Sequence, residues 1–323
     1  MILICSDIAD ESTNHVIDWL KFYKRKYLRI NTNDHLVIKS LSINNNEQDI
    51  ILYNHSTQST FNLRSVSFFW YRRGDINIQL DKDINYMDYL KSEEQKLKEY
   101  IHYYLVHKIP SLGNFYDNNI NKLIVLDKAA EAGLDIPQTL VTENKLQLAL
   151  FREQRVELIT KSIDNNISSN RGDHHTSFLA TKVKDEEIAA ADPDFFYTLF
   201  QGYEPKAVEL RIFFLKERFY AAAIASQLDE KTATDYRNYN YGKPNRITTF
   251  QLPDIIKNKL LWLNQQLRLT SGSIDMILTP TNRYVFLEIN PVGQFGQISK
   301  NTNYNIEKVI ADYIITNEKK TSV

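Results

Sequence analysis

The sequence predicts an α/β protein with two or three subdomains. Its length of 323 residues is sufficient for that number. Short apolar runs typical of strands alternate along the chain with segments whose apolar residues follow a helical period. Asn, Gly and Pro punctuate the boundaries between these segments. Together these patterns favour strands and helices mixed within the same subdomains.

Composition argues against several functional classes. Charged residues make up 24% of the chain and the formal net charge is -1, so no bulk basic field favours nucleic acid. Cys5 is the single cysteine, which excludes a disulfide within the chain and favours a reducing cytosol. No apolar stretch approaches a membrane span, and the opening run lacks the basic region of a signal peptide. We therefore expect a cytoplasmic protein that binds neither membrane nor nucleic acid.

The first part of the chain, residues 1–112, predicts an α/β unit. A buried opening strand is followed by a helix that Ser12 can cap. Polar clusters at 44–46 and 55–59 are interpreted as hairpin tips. The predicted strands are residues 1–5, 27–30, 36–38, 50–53 and 66–71, and a long helix spans 89–107.

The fifth of these strands ends in an arginine-rich turn, Tyr71-Arg72-Arg73-Gly74-Asp75. Two arginines at a strand end can cradle phosphate or carboxylate. The alternative is a solvated strand end in which one arginine pairs with Asp75.

A junction at 109–114 precedes a predicted helix that carries Lys122 and runs to residue 132, where Gly133 and Pro137 end it. The strand predicted at 156–162 presents Lys161 at its end, before a polar loop at 165–176. A lysine in that position can reach the α- or β-phosphate of a nucleotide. The alternative is an exposed lysine at a strand end. Further strands are predicted at 195–200, 208–214 and 219–224, and helices at 253–267 and 306–315.

Alternation within 208–214 places Glu209 and Arg211 on one face of the strand. A guanidinium fork suits the charge of a transferred phosphoryl group, which makes Arg211 a candidate catalytic residue. The alternative is a same-face ion pair, which contributes little to stability. The opposite face carries Val208, Leu210 and Ile212.

Near the C-terminus, two apolar runs flank the turn at 279–283 and predict a β-hairpin. On its second strand, Glu288 and Asn290 are two residues apart and share a face. Asp275 lies in the first strand, where an unpaired carboxylate would be costly. Two carboxylates and an amide suit Mg²⁺ and indicate nucleotide-dependent chemistry. A solvated acidic edge is the alternative.

The motif GSIDMIL followed by FLEINPVGQF resembles the metal-binding end of the ATP-grasp ligases. More narrowly, it resembles the peptide maturases that build graspetides, which are peptides containing ω-esters or ω-amides, of the grasp-with-spasm type. The resemblance implies an ATP-grasp fold with an N-terminal pre-ATP-grasp domain at 1–112. A central ATP-grasp subdomain is expected at 113–200 and a C-terminal subdomain with the metal site at 201–323.

The same resemblance implies roles for individual residues. Lys122 and Lys161 match the family's two ATP-contacting lysines. Glu209 matches its ribose-binding acid. The metal ligands are matched by Asp275, Glu288 and Asn290.

The segment Gln201-Gly202-Tyr203-Glu204 matches the family's hinge, whose backbone pairs with adenine. Gly202 departs from the family pattern, which carries a glutamate there. Arg237 and Arg246 resemble arginines near the acceptor side of the site, with solvent-exposed arginines as the alternative.

The implied activity is that of an ATP- and Mg²⁺-dependent macrocyclase. It would phosphorylate Asp or Glu carboxylates of a ribosomal precursor peptide, which has a leader and a core rich in Thr, Ser, Asp and Glu. Each acyl phosphate would then be condensed with a Ser or Thr hydroxyl or a Lys amine. The resemblance also implies a homodimer. A RimK-like carboxylate–amine ligase and a non-catalytic ATP-binding protein are the alternatives.

Overall fold

The computed structural model describes residues 1–45, 47–78, 87–154, 157–164, 168–171, 174–177, 179–229, 232, 234–236, 238, 240 and 242–319. The chain forms two compact units. One comprises residues 1–118 together with the C-terminal segment from residue 305, and the other comprises residues 119–304. The division into three domains stays a prediction.

The first unit begins with β1 (Ile2–Ser6), α1 (Glu11–Phe22), β2 (Tyr27–Asn31), β3 (Leu36–Ile43), β4 (Gln48–Asn54), β5 (Ser59–Asn62), β6 (Phe68–Tyr71), α2 (Met87–His107) and β7 (Ser111–Leu112). Four strands form a parallel sheet in the order β2-β1-β6-β7. The other three form an antiparallel sheet, β3-β4-β5. The strands predicted in this region are confirmed, and β5 was not foreseen because residue 59 was assigned to a hairpin tip.

The second unit contains α3 (Lys122–Glu131), β8 (Thr139–Asn144), α4 (Lys145–Glu153), β9 (Leu158–Lys161), β10 (Ser168–Arg171), β11 (His174–Ser177), β12 (Thr181–Val183), α5 (Asp185–Ala190), β13 (Asp194–Gly202), β14 (Val208–Leu215), β15 (Arg218–Ile224), β16 (Ile247–Phe250), α6 (Asp254–Gln266), β17 (Ser271–Leu278), β18 (Tyr284–Asn290) and α7 (Gly296–Thr302). The last helix, α8 (Ile306–Asn317), belongs to the first unit. Among the described residues, none of these helices combines the length and apolar content that a membrane crossing requires.

The two larger sheets of the second unit are antiparallel. Their strand orders are β12-β9-β13-β8 and β16-β15-β14-β17-β18. The prediction of a polar loop at 165–176 is wrong in part, because β10 and β11 form an antiparallel pair there. The predicted C-terminal hairpin of β17 and β18 is confirmed.

One face of the five-stranded sheet builds the core of the second unit. Leu210 and Ile212 of β14 lie there with Ile274 and Met276 of β17, against apolar residues of α3 and α6. Because strand residues alternate between faces, the intervening polar side chains of β14 and β17 lie on the other face. The core thereby determines which side chains are available for a site.

In the first unit, a buried carboxylate organises the end of the parallel sheet. Asp10, not Ser12, caps α1, and its Oδ1 accepts from the Thr13 amide at 3.1 Å. Its Oδ2 lies 3.3 Å from Arg72 Nε and 2.7 Å from Arg73 Nε. The predicted alternative of an arginine paired with Asp75 is therefore wrong. Asp75 instead pairs with Lys98 and His102 of α2.

Replacing Asp10 tests this cluster. Burial would raise the pKa of Asp10, but Arg72, Ser12 and Arg73 more than offset it, so the pKa is lowered. Asp10→Ala should lower the free energy of unfolding by about 3–5 kcal/mol, because it leaves Arg72 buried without its partner. Asp10→Asn should lose less, by about 1 kcal/mol, because it retains a capping oxygen. Both are measured by chemical denaturation near neutral pH.

The pH dependence provides the control. A lowered carboxyl pKa contributes stability that is present above the unfolded-state pKa and is lost as pH falls through the folded-state pKa. The stability gap between wild type and Asp10→Asn should therefore narrow on acidification. A gap that is absent at neutral pH, or that widens in acid, would contradict this role of Asp10.

Candidate active site

Three charged side chains lie in a row across the face of the five-stranded sheet opposite the core. Arg211 of β14 is the register partner of Asp275 on β17, and Asp275 is the partner of Glu288 on β18. Register partners have neighbouring Cβ atoms about 4.5–5.5 Å apart. The hairpin and β14 therefore bring together three residues that are 64 and 13 positions apart in the printed sequence.

The first pair in the row is a buried ion pair. Arg211 Nη1 lies 2.5 Å from Asp275 Oδ2, and Arg211 Nη2 donates to the Gln294 carbonyl at 3.3 Å. Arg211 is 9% exposed and Asp275 is 5% exposed. Burial alone would lower the pKa of Arg211, but the Asp275 carboxylate more than offsets this and raises it. The guanidinium is thus held as a cation in a fixed position.

At the other end of the row, Glu288 lies between two lysines. Lys122 Nζ and Lys161 Nζ are each 3.9 Å from Glu288 Oε2. Lys122 is the first residue of α3, directly after the capping residue Asn121, and its Nζ also donates to the Ser162 carbonyl at 2.7 Å. Lys161 ends β9. Two cations from different elements therefore converge on one carboxylate, an arrangement suited to polyphosphate.

The predicted metal ligands were tested against this geometry. Asp275 and Glu288 are direct partners, and Asn290 is the partner of Ser273, which lies two residues before Asp275 on β17. The Asn290 Oδ1 accepts from the Val292 amide at 3.1 Å, which fixes the side chain in the turn after β18. Two carboxylates with a nearby amide oxygen fit Mg²⁺, which keeps water and phosphate oxygens in its remaining positions. Among the described residues, no cluster of three or more His, Cys, Asp and Glu could hold a metal, so the third protein donor would be the Asn290 amide.

A cleft runs from this row toward the hinge. Its apolar walls are formed by Pro137, Ile159, Ala180, Ile277 and Leu287. Lys161, Asp275 and Glu288 line its polar end. An apolar slot that opens onto cations and carboxylates has the chemistry expected for a nucleotide base and its phosphates.

Glu209 lies in the same cleft and is paired. Its Oε2 is 2.6 Å from Lys206 Nζ and accepts from Ser226 Oγ at 3.1 Å. Burial raises the pKa of Glu209 to about 7, with Lys206 acting in the opposite direction. No role for Lys206 was predicted from the sequence. The sequence feature that could have indicated a role is the position of this lysine, three residues before Glu209 and just ahead of the buried strand β14.

Two backbone amides of the hinge donate hydrogen bonds to carbonyls of the protein itself. The Gly202 amide donates to the Gln138 carbonyl at 3.0 Å, and the Tyr203 amide donates to the Glu157 carbonyl at 2.9 Å. The Tyr203 ring lies under Lys182 Nζ, 4.2 Å from the ring centroid. Glu204 pairs with Arg283 at 2.8 Å and also lines the cleft. The hinge residues therefore border the cleft, while two of their amides bond within the protein.

The segment from residue 235 to residue 246 carries the two arginines predicted for the acceptor side. Arg246 is exposed and precedes β16, and Arg237 lies outside the described residues. The neighbouring Asp235 and Tyr236 are buried and line the cleft. Asp235 Oδ2 accepts from the Ala180 amide at 3.2 Å, which attaches this loop to the segment before β12. The resemblance places the segment Asp235-Tyr236-Arg237 near the acceptor side, and within it only Arg237 was predicted to bind substrate.

Several solved structures share the fold of this chain. No family model and no curated protein matches the chain. The macrocyclase MdnC of Microcystis aeruginosa, solved with its precursor peptide MdnA, is 26% identical over 98% of this chain and 99% of its own, with a TM-score of 0.76.

Two further structures share the fold at lower identity. A RiPP-associated ATP-grasp ligase of Chryseobacterium gregarium, in complex with ADP and a leader and core peptide, is 23% identical over 99% of this chain and 97% of its own, with a TM-score of 0.80. A RimK domain ATP-grasp protein of Sphaerobacter thermophilus is 11% identical over 97% and 99%, with a TM-score of 0.52. The predicted ATP-grasp fold is thereby confirmed.

Stability should depend on pH through Glu209. With a raised folded-state pKa, the folded carboxyl holds a proton that the unfolded one has released, so stability falls as pH rises from about 4.5 to 7. Between pH 5 and pH 8, wild type should lose about 2 kcal/mol relative to Glu209→Gln, measured by denaturation at both values. Glu157→Gln is the control, because Glu157 forms a half-exposed pair with Lys182. Parallel pH profiles for wild type and Glu209→Gln would contradict the burial effect.

Proposed function

We infer that this chain is an ATP-grasp peptide macrocyclase, an ADP-forming ligase that closes rings within a ribosomally made peptide. The observation that carries this proposal is the row Arg211–Asp275–Glu288, with two lysines at its end, in a chain that aligns with MdnC over 98% of its length. MdnC is a macrocyclase and was solved with a precursor peptide.

ATP is proposed to occupy the cleft with its base at the hinge and its phosphates at the lysines. Gln201, Tyr203 and Glu204 border the base. Lys122 and Lys161 would contact phosphate oxygens, since both ammonium groups meet at Glu288. Glu209 would accept hydrogen bonds from the ribose hydroxyls, with Lys206 holding the carboxylate in place. The lysine pair then supplies fixed positive charge where the triphosphate carries its negative charge.

Asp275, Glu288 and Asn290 are proposed to hold Mg²⁺. A bound Mg²⁺ would neutralise part of the charge on the polyphosphate. The Arg211–Asp275 pair keeps one carboxylate oriented on the site face, and the Val292 amide keeps the Asn290 amide in its turn. This preorganisation is a property of the chain itself.

The chemistry has two steps. A side-chain carboxylate oxygen of the peptide attacks the γ-phosphorus of ATP, the bond from that phosphorus to the bridging oxygen breaks, and ADP leaves. Lys122, Lys161 and Arg211 stabilise the charge on the moving phosphoryl group. The acyl phosphate carbon is then attacked by a Ser or Thr hydroxyl, or by a Lys amine, and inorganic phosphate leaves as the nucleophile gives up its proton. No protein nucleophile takes part.

The substrate is proposed to be a precursor peptide with a leader and a core. The Chryseobacterium ligase was solved with both parts bound. Donor and acceptor on one peptide raise the effective concentration of the nucleophile. Arg237 and Arg246 are proposed to hold the substrate carboxylate or the acyl phosphate. A homodimer and a cytoplasmic location stay predictions from the sequence.

Intact mass spectrometry of a candidate precursor peptide tests the proposal. The candidate would be a short peptide encoded beside the ligase and rich in Thr, Ser, Asp and Glu, incubated with enzyme, ATP and Mg²⁺. Loss of one water per ring that mild base reverses indicates esters, and loss that survives base indicates amides. No change in peptide mass, with ATP consumed only when a free amino acid is present, would instead support the RimK-like ligase.

Glu288→Ala should abolish ATP-dependent ring formation while leaving the fold intact. The reason is that Glu288 meets both lysines and is the direct partner of Asp275. Peptide mass is followed over time, and circular dichroism reports the fold. Glu186→Ala, at an exposed position of α5, is the matched control and should retain full activity. Turnover retained in Glu288→Ala would refute the metal assignment.

A further inference from the structure

A buried amide in the nucleotide cleft has one hydrogen-bonding atom without a partner. Gln201 is 0% exposed and lines the cleft. Its Nε2 donates to Thr139 Oγ1 at 2.9 Å. Within the described part of the chain, its Oε1 is buried and has no hydrogen-bond partner. A buried acceptor left unsatisfied is uncommon in native proteins and calls for an explanation such as a ligand.

The orientation of this amide is fixed by a chain of hydrogen bonds. Thr139 Oγ1 lies 3.0 Å from the Pro137 carbonyl, which can only accept. The threonine proton is therefore committed to that carbonyl, and the oxygen of the hydroxyl must accept from Gln201. Only the NH₂ end of the amide can face Thr139, so the carbonyl end must face the other way. The Pro-x-Thr motif that begins β8 thus sets the orientation of a side chain on β13.

The strand pairing places this amide on the ligand side of the sheet. Gln201 is the register partner of Thr139 on β8 and of Ile159 on β9. Its neighbour Phe200 packs into the small core formed with Leu148, Leu158 and Ile188. Because faces alternate along a strand, Gln201 lies on the opposite side, with Ile159 and the cleft.

We propose that Gln201 and Thr139 form a base-selecting device in which a fixed amide oxygen accepts a hydrogen bond from the 6-amino group of adenine. The proposal rests on the proposed function in so far as the cleft binds a nucleoside triphosphate. A 6-oxo purine would present a second acceptor to Gln201 Oε1, and the amide cannot rotate to offer its NH₂ group without breaking its bond to Thr139. The device therefore selects ATP and rejects guanosine and inosine triphosphates. Gln201 is the specificity-determining residue, and Thr139 is a positioning residue.

The hydrogen bonds of the hinge are consistent with this role of Gln201. The amides of Gly202 and Tyr203 donate to protein carbonyls, so neither reads the base in this conformation. A side-chain acceptor beside the hinge supplies the discrimination that those two amides do not. Gly202 carries no side chain of its own that could reach the base edge.

The test is direct binding of ATP and inosine triphosphate by calorimetry with Mg²⁺ and without peptide. The two nucleotides differ in the 6-substituent and in the proton that inosine carries on N1, so the variants below assign the preference to Gln201. Wild type should bind ATP about tenfold or more tightly than inosine triphosphate. Purine riboside triphosphate, which has no 6-substituent, should fall between them, because it loses the hydrogen bond without adding a repulsion. This measurement needs no variant.

Two variants separate the two roles. Gln201→Met removes the acceptor at nearly constant size and should abolish the preference for ATP. Thr139→Val frees the amide to rotate and should narrow the preference, mainly through tighter binding of inosine triphosphate. Thr142→Val, the same change on the same strand, is the control, since its hydroxyl contacts only the backbone of Asn144. It should keep the wild-type preference.

The outcomes are distinct. Equal binding of ATP and inosine triphosphate by wild type would overturn the inference and leave the proposed function standing. A preference that persists in Gln201→Met would overturn the role of Gln201, and one that persists undiminished in Thr139→Val would overturn the role of Thr139. Failure of wild type to bind any of the three nucleotides would overturn the proposed function together with this inference.

Discussion

The buried pair of Arg211 and Asp275 is the interaction on which the site depends. Removing either partner would leave a charge on a side chain that is almost fully buried, so each residue requires the other. Their register position aligns β14 with β17, and β17 in turn aligns Glu288 on β18. The same pairing keeps Leu210, Ile212, Ile274 and Met276 in the core on the other face. Packing on one side and charge on the other thus specify one register.

Much of this arrangement could be predicted from the sequence because it depends on local periodicity. Alternation along 208–214 placed Glu209 and Arg211 together, and the hairpin around 279–283 placed Glu288 opposite the first strand. These predictions required only a two-residue period and a turn. The ATP-grasp fold was accessible because its motif lies in one contiguous stretch of the chain.

The features that the sequence did not reveal depend on contacts between distant segments. Asp10 proved to be the partner of Arg72, although Asp75 is nearer in sequence, because the ends of β1 and β6 are adjacent in a parallel sheet. Lys206 is an exception, since it lies only three residues before Glu209; the spacing was visible in the sequence, but the burial of the lysine side chain was not. The orientation of Gln201 could not be inferred either, since it depends on a threonine 62 residues earlier.

The placement of α8 has a consequence for how the chain folds during synthesis. This helix packs on α1 and β6 of the first unit, and the Lys319 amide donates to the Ser67 carbonyl at 2.8 Å. The second unit is thus an insertion between two parts of the first, and the first cannot be completed until α8, residues 306–317, has been synthesised. During synthesis the N-terminal domain usually folds first. Here the first unit is completed last, because α8 is synthesised after the second unit. The nascent first unit must keep the apolar surface that α8 later covers from associating with other chains.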